Sequence, residues 1–212
     1  MLLDFDGPLC SIFAGLTAQE VAHDLVVGLA TGARIPEGWV TASDPLALLR
    51  RIGDERPELA GAADLTLTRL EEQAASLARP TVGGESVLRA CMDSGRSVGI
   101  VSNNAGSAIH MYLDAHGLSK YVSGVYGRIL GEPSSMKPDP RLLTDAMGAV
   151  AAKPSDCIFI GDAVRDVQAG DAVKVRTIGY ANKPGKDATL KQAGAVVVVD
   201  SMQMIADVLA LV

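Results

Sequence analysis

The sequence predicts an α/β fold, a Rossmann-like parallel sheet flanked by helices on both faces, with an inserted all-helical cap domain. From about residue 80 onward, short apolar segments alternate with helical stretches, which is typical of parallel strands joined by helices. Between about residues 16 and 78, helical periodicity recurs without a convincing strand. We therefore expect an α/β core made of residues 1–13 and 81–212, and a helical cap made of residues 14–80.

The first strand argues against two independent domains in series. The residues from Met1 to Leu3 are apolar, and a strand this short needs neighbours from the later part of the chain. The cap is then an insertion into the core. It is bracketed by Gly7–Gly15 and Arg79–Gly84, whose glycine and proline content suits hinges that let a cap open and close over the core.

The other elements follow from apolar runs and periodicity. In the helix after the second hinge, Leu88, Cys91 and Met92 are predicted to share one apolar face. The remaining core strands are predicted at Ser97–Val101, Cys157–Ile160, Val175–Tyr180 and Ala195–Val199. Helices are predicted at Ala18–Ala30, Asp44–Gly53 and Ala63–Ala78 in the cap, and at Glu85–Ser94, Ser107–His116, Pro140–Val150, Val164–Ala169 and Met202–Leu211 in the core.

Composition narrows the class of protein. The chain has 212 residues, of which 48% are hydrophobic and 21% charged, enough to bury a core. A net charge of −6 argues against a nucleic-acid partner, because binding a phosphate backbone needs a concentrated basic face. The chain has neither a membrane-length apolar run nor a secretory signal pattern, so we expect a cytoplasmic protein without a membrane partner. The spacing of Cys10, Cys91 and Cys157 favours buried thiols over a zinc site.

Two carboxylates end the first strand. Asp4 and Asp6 lie one residue apart, and in a strand of period two they point the same way. Two negative charges then crowd one place unless a cation joins them. An acidic turn or a helix cap is the ordinary alternative for such a pair.

Three further polar groups follow predicted strands, where open α/β sheets place their ligands. Ser102 and Asn103 stand between a strand and a helix, Lys137 lies before prolines on a loop, and Asp162 and Asp166 follow the strand ending at Ile160. If the helix begins near Asp162, both of these carboxylates lie on one side of its first turn. Helix caps and a solvated lysine would explain each group singly. Taken together with Asp4 and Asp6, they indicate a site for magnesium and phosphate.

The four segments also carry a family resemblance. DFDGPL, VSNN, KPDP and GDAVRD, in this order, resemble the four motifs of the haloacid dehalogenase superfamily of phosphohydrolases. The helical insert resembles the smaller cap type of that family, as in relatives of phosphoglycolate phosphatase and β-phosphoglucomutase. Two departures are Pro8, where the family usually has threonine, and a leading strand shorter than is common in the family.

The resemblance implies a mechanism. Asp4 would attack phosphorus to form an aspartyl-phosphate, and Asp6 would protonate the leaving alcohol and then deprotonate the attacking water. Lys137, Ser102 and the backbone near Asn103 would hold the transferring oxygens.

The resemblance further implies a Mg²⁺ cofactor. Its ligands would be a side-chain oxygen of Asp4, the backbone carbonyl of Asp6, and Asp162. Asp166 would support the site through water or by holding Lys137.

Several alternatives stay open. Asp6 favours phosphate esters over carbon–halogen substrates, because a halide leaving group needs no proton. It does not separate a phosphatase from a phosphomutase of the β-phosphoglucomutase type. A non-enzymatic phosphoacceptor or binding protein is a second alternative. A phosphoacceptor receiver domain, however, has no helical insert, and its phosphorylated aspartate follows an internal strand.

The expected partner is a small phosphorylated metabolite, a phosphoglycolate-like acid by cap type. The sequence does not predict the oligomeric state. Polar cap residues that could meet the leaving group are Arg34, Glu37, Trp39, Arg50 and Arg51.

Overall fold

A six-stranded parallel sheet forms the centre of the computed structural model, which describes residues 1–30 and 35–211. The strands are β1 (Leu2–Leu3), β4 (Gly99–Ala105), β5 (Gly124–Arg128), β6 (Ile158–Gly161), β7 (Arg176–Tyr180) and β8 (Val197–Val199). Their order in the sheet is β5-β4-β1-β6-β7-β8, so the strand nearest the amino terminus lies inside the sheet, as expected from its need for neighbours. The predicted fold class is confirmed.

Helices cover both faces of this sheet. Leu3 is in register with Ile100 and Ile160, and these side chains pack in one hydrophobic cluster, while the alternate residue Leu2 packs in another with Phe159. The period of two therefore gives each face its own core. The helices of this part are α5 (Gly84–Asp93), α6 (Gly106–Ala115), α7 (Arg141–Ala149), α8 (Val164–Ala172), α9 (Lys186–Ala193) and α10 (Met202–Leu209).

Helices without a described strand between them make up the predicted cap region. Their cluster is built around Leu25, Leu49 and Leu67, all fully buried, and the fully buried Trp39. The location of the cap boundary at residues 14 and 80 stays a prediction. The helices are α1 (Ala18–Ala30), α2 (Glu37–Val40), α3 (Pro45–Glu55) and α4 (Pro57–Ser76).

The two predicted hinge segments pair with each other. Strand β2 (Cys10–Ser11) runs antiparallel to β3 (Arg79–Pro80). Beside this pairing, the Thr81 backbone N–H donates to the Leu9 carbonyl at 3.0 Å, and the Thr81 hydroxyl donates to the Gly7 carbonyl at 2.6 Å. The connections into and out of the helical insert are thus tied together next to the first motif.

Several elements differ from the sequence predictions. Strand β5 was not predicted because its GVYGR sequence is glycine-rich and mostly half-buried, so it lacks an apolar run. Helix α9 was missed because Leu190 is its only buried residue. In α5, Leu88 and Cys91 are buried as predicted, but Met92 is 50% exposed.

Two further features concern the cysteines and the apolar length of the helices. Cys10, Cys91 and Cys157 are free and buried, as predicted. No helix among the described residues has both the length and the apolar composition that crossing a membrane requires.

Candidate active site

The carboxyl ends of adjacent strands bring the motif residues together. Asp4 follows β1, and its backbone N–H still donates to the Ile160 carbonyl of β6 at 2.9 Å. Ser102 and Asn103 lie within β4, whereas the sequence placed them after a strand. The pairing of β4 with β5 is irregular between Val101 and Ala105, so this stretch departs from the regular ladder while still counting as strand.

Lys137 is buried at the middle of the site, and only 1% of its side chain is exposed. Its Nζ lies 3.0 Å from Asp4 Oδ1 and 2.8 Å from Asp166 Oδ1, and it donates to the Val101 carbonyl at 2.9 Å. Burial lowers the pKa of this ammonium, but the charges of Asp166 and Asp4 outweigh that effect and raise it. A solvated surface lysine is therefore excluded.

Three carboxylates converge beside this lysine. One oxygen from each of Asp4, Asp162 and Asp166 lies within 4.8 Å of the others. We call these residues and Lys137 the lysine cluster. Burial, and then the charges of Asp166 and Asp162, raise the pKa of Asp4 to about 7, although Lys137 opposes the shift.

The lysine cluster fits a divalent cation. Asp166 Oδ1 has the Lys137 ammonium as its partner at 2.8 Å, and Asp166 Oδ2 accepts the Ala163 N–H at 2.9 Å. The three converging carboxylates carry more negative charge than Lys137 offsets. Carboxylate oxygens are also the ligands that magnesium prefers.

Asp162 stands before its helix and has partners that the sequence analysis missed. Helix α8 begins at Val164, not near Asp162, because Ala163 has extended backbone angles. Asp162 Oδ2 accepts from Asn182 Nδ2 at 2.9 Å and from the ammonium of Lys186. Both partners follow β7, and Lys186 is the first residue of α9. Their position after the end of another strand is the sequence signal that could have identified them as candidate site residues.

A glycine keeps the first motif close to Asp162. Gly7 has a φ of +103°, a left-handed conformation that strains other residues. A Cβ at this position would lie 2.5 Å from the Asp162 Cγ. Both the turn and the approach therefore require glycine.

Asp6 has a different environment from Asp4. Strand β1 ends at Leu3 and the chain bends at Phe5, so strict alternation does not continue to Asp6. Asp6 Oδ1 accepts the Ile12 N–H at 3.0 Å. Burial raises the pKa of Asp6 to about 6, and the charge of Asp162 adds to the shift, while the Ile12 N–H opposes it.

Asn103 fixes the loop that carries the lysine. Its Oδ1 accepts the Lys137 backbone N–H at 2.7 Å, and its Nδ2 donates to the Lys137 carbonyl at 3.0 Å. The amide is therefore engaged with the Lys137 backbone. The Ser102 hydroxyl donates to Asn104 Oδ1 at 3.2 Å. Asn104 belongs to the quoted motif but was not singled out from the sequence.

The polar cap candidates have structural partners. Arg50 Nη2 donates to the Lys137 carbonyl at 2.8 Å and to the Met136 carbonyl at 3.2 Å. Arg51 pairs with Glu55, which also accepts from the buried Trp39 indole at 2.8 Å.

Two cap candidates remain. Glu37 is exposed. Arg34 lies outside the described residues.

Sequence comparisons give a consistent family. Residues 49–180 match the family model described as haloacid dehalogenase-like hydrolase. A phosphoglycolate phosphatase from Xylella fastidiosa is 34% identical over 107 residues, which cover 50% of this chain and 45% of that protein. An N-acetylmuramic acid 6-phosphate phosphatase from Pseudomonas aeruginosa is 29% identical, covering 99% of this chain and 93% of that protein. The first match thus spans less than half of the relative's length.

Solved structures share the fold. A predicted phosphatase from Clostridium acetobutylicum superposes with a TM-score of 0.78 at 18% identity, covering 100% of this chain and 97% of that one. A family hydrolase from Deinococcus radiodurans, with bound phosphate and sodium, gives a TM-score of 0.62 at 23% identity, covering 99% and 94%. At these identities the likeness concerns the fold alone.

Proposed function

Because the chain belongs to the haloacid dehalogenase-like hydrolase family, we propose that it is a magnesium-dependent phosphohydrolase of small phosphomonoesters that forms an aspartyl-phosphate. One observation carries the proposal: a fully buried lysine lies between Asp4 and Asp166, beside a third carboxylate. Three carboxylates beside one buried lysine leave negative charge for a metal ion, and together with that ion they suit the transfer of an anionic group.

The proposed reaction has two displacements. In the first, an Asp4 carboxylate oxygen bonds to phosphorus while the ester P–O bond breaks, and Asp6 gives its proton to the leaving alkoxide. In the second, water attacks phosphorus, the Asp4–phosphorus bond breaks, and Asp6 takes the water's proton, releasing inorganic phosphate. The raised pKa of Asp6, about 6, supports this dual role because proton donation and acceptance are both accessible near neutral pH.

Charge is the main obstacle to the first displacement. A carboxylate and a phosphate oxygen repel each other by about 4 kcal/mol per charge pair at 4 Å and an effective dielectric constant near 20. Lys137 offsets part of this repulsion through its contact with Asp4. Mg²⁺ held by Asp4, Asp162 and the Asp6 carbonyl, with Asp166 in support through water or through its contact with Lys137, would supply the remaining positive charge.

Phosphate recognition is assigned to the same strand ends. The Lys137 ammonium and the Ser102 hydroxyl would bind the transferring oxygens, with the backbone N–H of Asn103. The Asn103 side chain would act indirectly, because it holds the Lys137 backbone.

The substrate class is part of the proposal. The relatives named above are phosphatases of phosphoglycolate and of N-acetylmuramic acid 6-phosphate, both small phosphorylated metabolites. A phosphomutase uses the same core residues and is the alternative. A cytoplasmic location also remains a proposal, supported by the free buried cysteines.

Turnover of p-nitrophenyl phosphate and of a panel of phosphorylated metabolites tests the function. We expect release of inorganic phosphate with Mg²⁺, loss of activity in EDTA, and an inactive Asp4→Asn variant. Asp145→Asn, which alters an exposed carboxylate on α7, is the matched control and should be fully active. Undiminished activity of Asp4→Asn would refute the mechanism, and isomerised ester in place of phosphate would favour the mutase.

A further inference from the structure

A second buried ionic group joins the helical insert to the sheet. Arg128, the last residue of β5, donates from Nε to Asp64 Oδ1 at 2.8 Å and from Nη2 to Glu71 Oε2 at 3.0 Å. Both carboxylates belong to α4, and the three side chains are at most 2% exposed. We call Asp64, Glu71 and Arg128 the arginine cluster.

The arginine cluster also contacts the segment assigned to phosphate recognition. Arg128 Nη1 donates to the Asn103 carbonyl at 2.8 Å. Glu71 accepts the Ala105 backbone N–H and the Asn104 Nδ2, each at 2.9 Å. Since Asn104 Oδ1 accepts the Ser102 hydroxyl, a continuous hydrogen-bonded path runs from Glu71 to Ser102.

This path lies where the regular hydrogen-bond ladder between β4 and β5 is interrupted. The pairing of β4 with β5 is irregular between Val101 and Ala105, so the backbone groups there need partners from outside the sheet. Glu71 accepts from one of these N–H groups, and Arg128 donates to the Asn103 carbonyl. Helix α4 therefore helps to fix the conformation of the segment from Ser102 to Ala105.

A second contact from the cap reaches the loop that carries Lys137. Arg50 on α3 donates to the Lys137 carbonyl, which also accepts from Asn103 Nδ2. The Asn103 backbone carbonyl thus accepts from Arg128, which pairs with carboxylates of the cap. The Asn103 side chain and the cap residue Arg50 donate to the same Lys137 carbonyl.

We propose that the arginine cluster is a positioning unit that sets the site's affinity for the phosphoryl group. The inference rests on the proposed function, since it assigns Ser102, Asn103 and Lys137 to phosphate. None of the three cluster residues touches the reacting atoms. They act by holding the β4 backbone from Ser102 to Ala105 in the geometry that binds the transferring oxygens.

Two conservative variants test this inference. Arg128→Lys keeps the charge but loses the forked contact with Glu71 and Asn103, and Glu71→Gln loses the oxygen that accepts from both Ala105 and Arg128. For each we expect kcat/KM to fall, and the inhibition constant of inorganic phosphate to rise, by about tenfold or more. The Mg²⁺ concentration giving half-maximal activity should not change, because the cluster lies outside the metal ligands.

Matched controls separate positioning from stability. Arg141→Lys alters an exposed pair with Asp145 and should change neither constant. Melting temperatures are measured for every variant, and the assays are run well below them. A lowered melting temperature with unchanged kcat/KM and unchanged phosphate inhibition would overturn the inference.

Direct binding of inorganic phosphate distinguishes this inference from the proposed function. If the wild-type protein turns over no ester but binds phosphate, weaker binding by both variants still supports the positioning unit. Equal binding by wild type and variants overturns it, and so does a wild-type protein that binds no phosphate.

Discussion

The lysine and arginine clusters are both buried and both place one cation between carboxylates, yet they differ in how fully they are satisfied. In the arginine cluster, each guanidinium nitrogen donates, and all four carboxylate oxygens accept. In the lysine cluster, three carboxylates converge beside the Lys137 ammonium, so their negative charge exceeds the positive charge of the lysine. An ionic group whose hydrogen bonds are saturated holds a structure, whereas one with excess negative charge can take up a cation.

The largest expected effect comes from removing the cation of the lysine cluster. Lys137→Met should lower kcat by about 10²- to 10³-fold, because the charge that meets the transferring oxygens is lost. Steady-state kinetics on p-nitrophenyl phosphate measures the effect, and Lys174→Met, at an exposed ion pair, is the control. A loss smaller than about fivefold would mean that Lys137 is not needed for charge stabilisation.

Removing the cation of the saturated cluster should act first on stability. Arg128→Met leaves Asp64 and Glu71 buried without their countercharge, so we expect the free energy of unfolding to fall by about 3–5 kcal/mol. Urea denaturation measures this change. A variant as stable as the wild type would show that the remaining donors, the Asn104 amide and the backbone N–H groups of Ala105 and Gly131, satisfy the two carboxylates.

The pH dependence of stability tests the desolvation of Asp6. The pKa of Asp6 is about 6 in the folded protein, against 3.8 for an aspartate in water. The folded state therefore binds an extra proton between about pH 4 and pH 6, and Asp6 destabilises the fold as pH rises through that window. In EDTA, Asp6→Asn should be more stable than wild type by roughly 3 kcal/mol at pH 7, and the two should converge near pH 4.

The control for this pH experiment is an exposed carboxylate. Asp24→Asn on α1 should follow the wild-type stability curve over the same range. If Asp6→Asn is no more stable than wild type at pH 7, then the carboxylate is not desolvated as its burial indicates.

The smallest effect is expected where an ion pair is exposed. Arg89 Nη2 lies 2.6 Å from Glu85 Oε1, and the two side chains are 59% and 52% exposed. Arg89→Ala should leave the urea midpoint of unfolding within error of the wild-type value, because water screens the pair. A clearly lower midpoint would show that exposure does not separate weak ion pairs from strong ones in this protein.

The sequence predicted what depends on local pattern. The alternation of apolar runs and helices indicated the fold class, and motif residues after strand ends were placed near one another because parallel strands end at one edge. The Asn182 and Lys186 contacts with Asp162 were missed because the position of these residues after β7 could mark them as site candidates but does not identify Asp162 as their partner. The arginine cluster joins residues 57 and 64 positions apart, so its pairing depends on how α4 packs on the sheet.

The β2–β3 pairing bears on any movement of the helical insert. Both connections to the insert share one short ladder and form a two-stranded ribbon, so a displacement of one connection would carry the other with it. The Thr81 hydroxyl joins this ribbon to the carbonyl of Gly7, the residue next to the proposed proton donor. If the insert rotates about the ribbon, the turn after Asp6 would move with it, and opening of the insert would then displace the proposed proton donor.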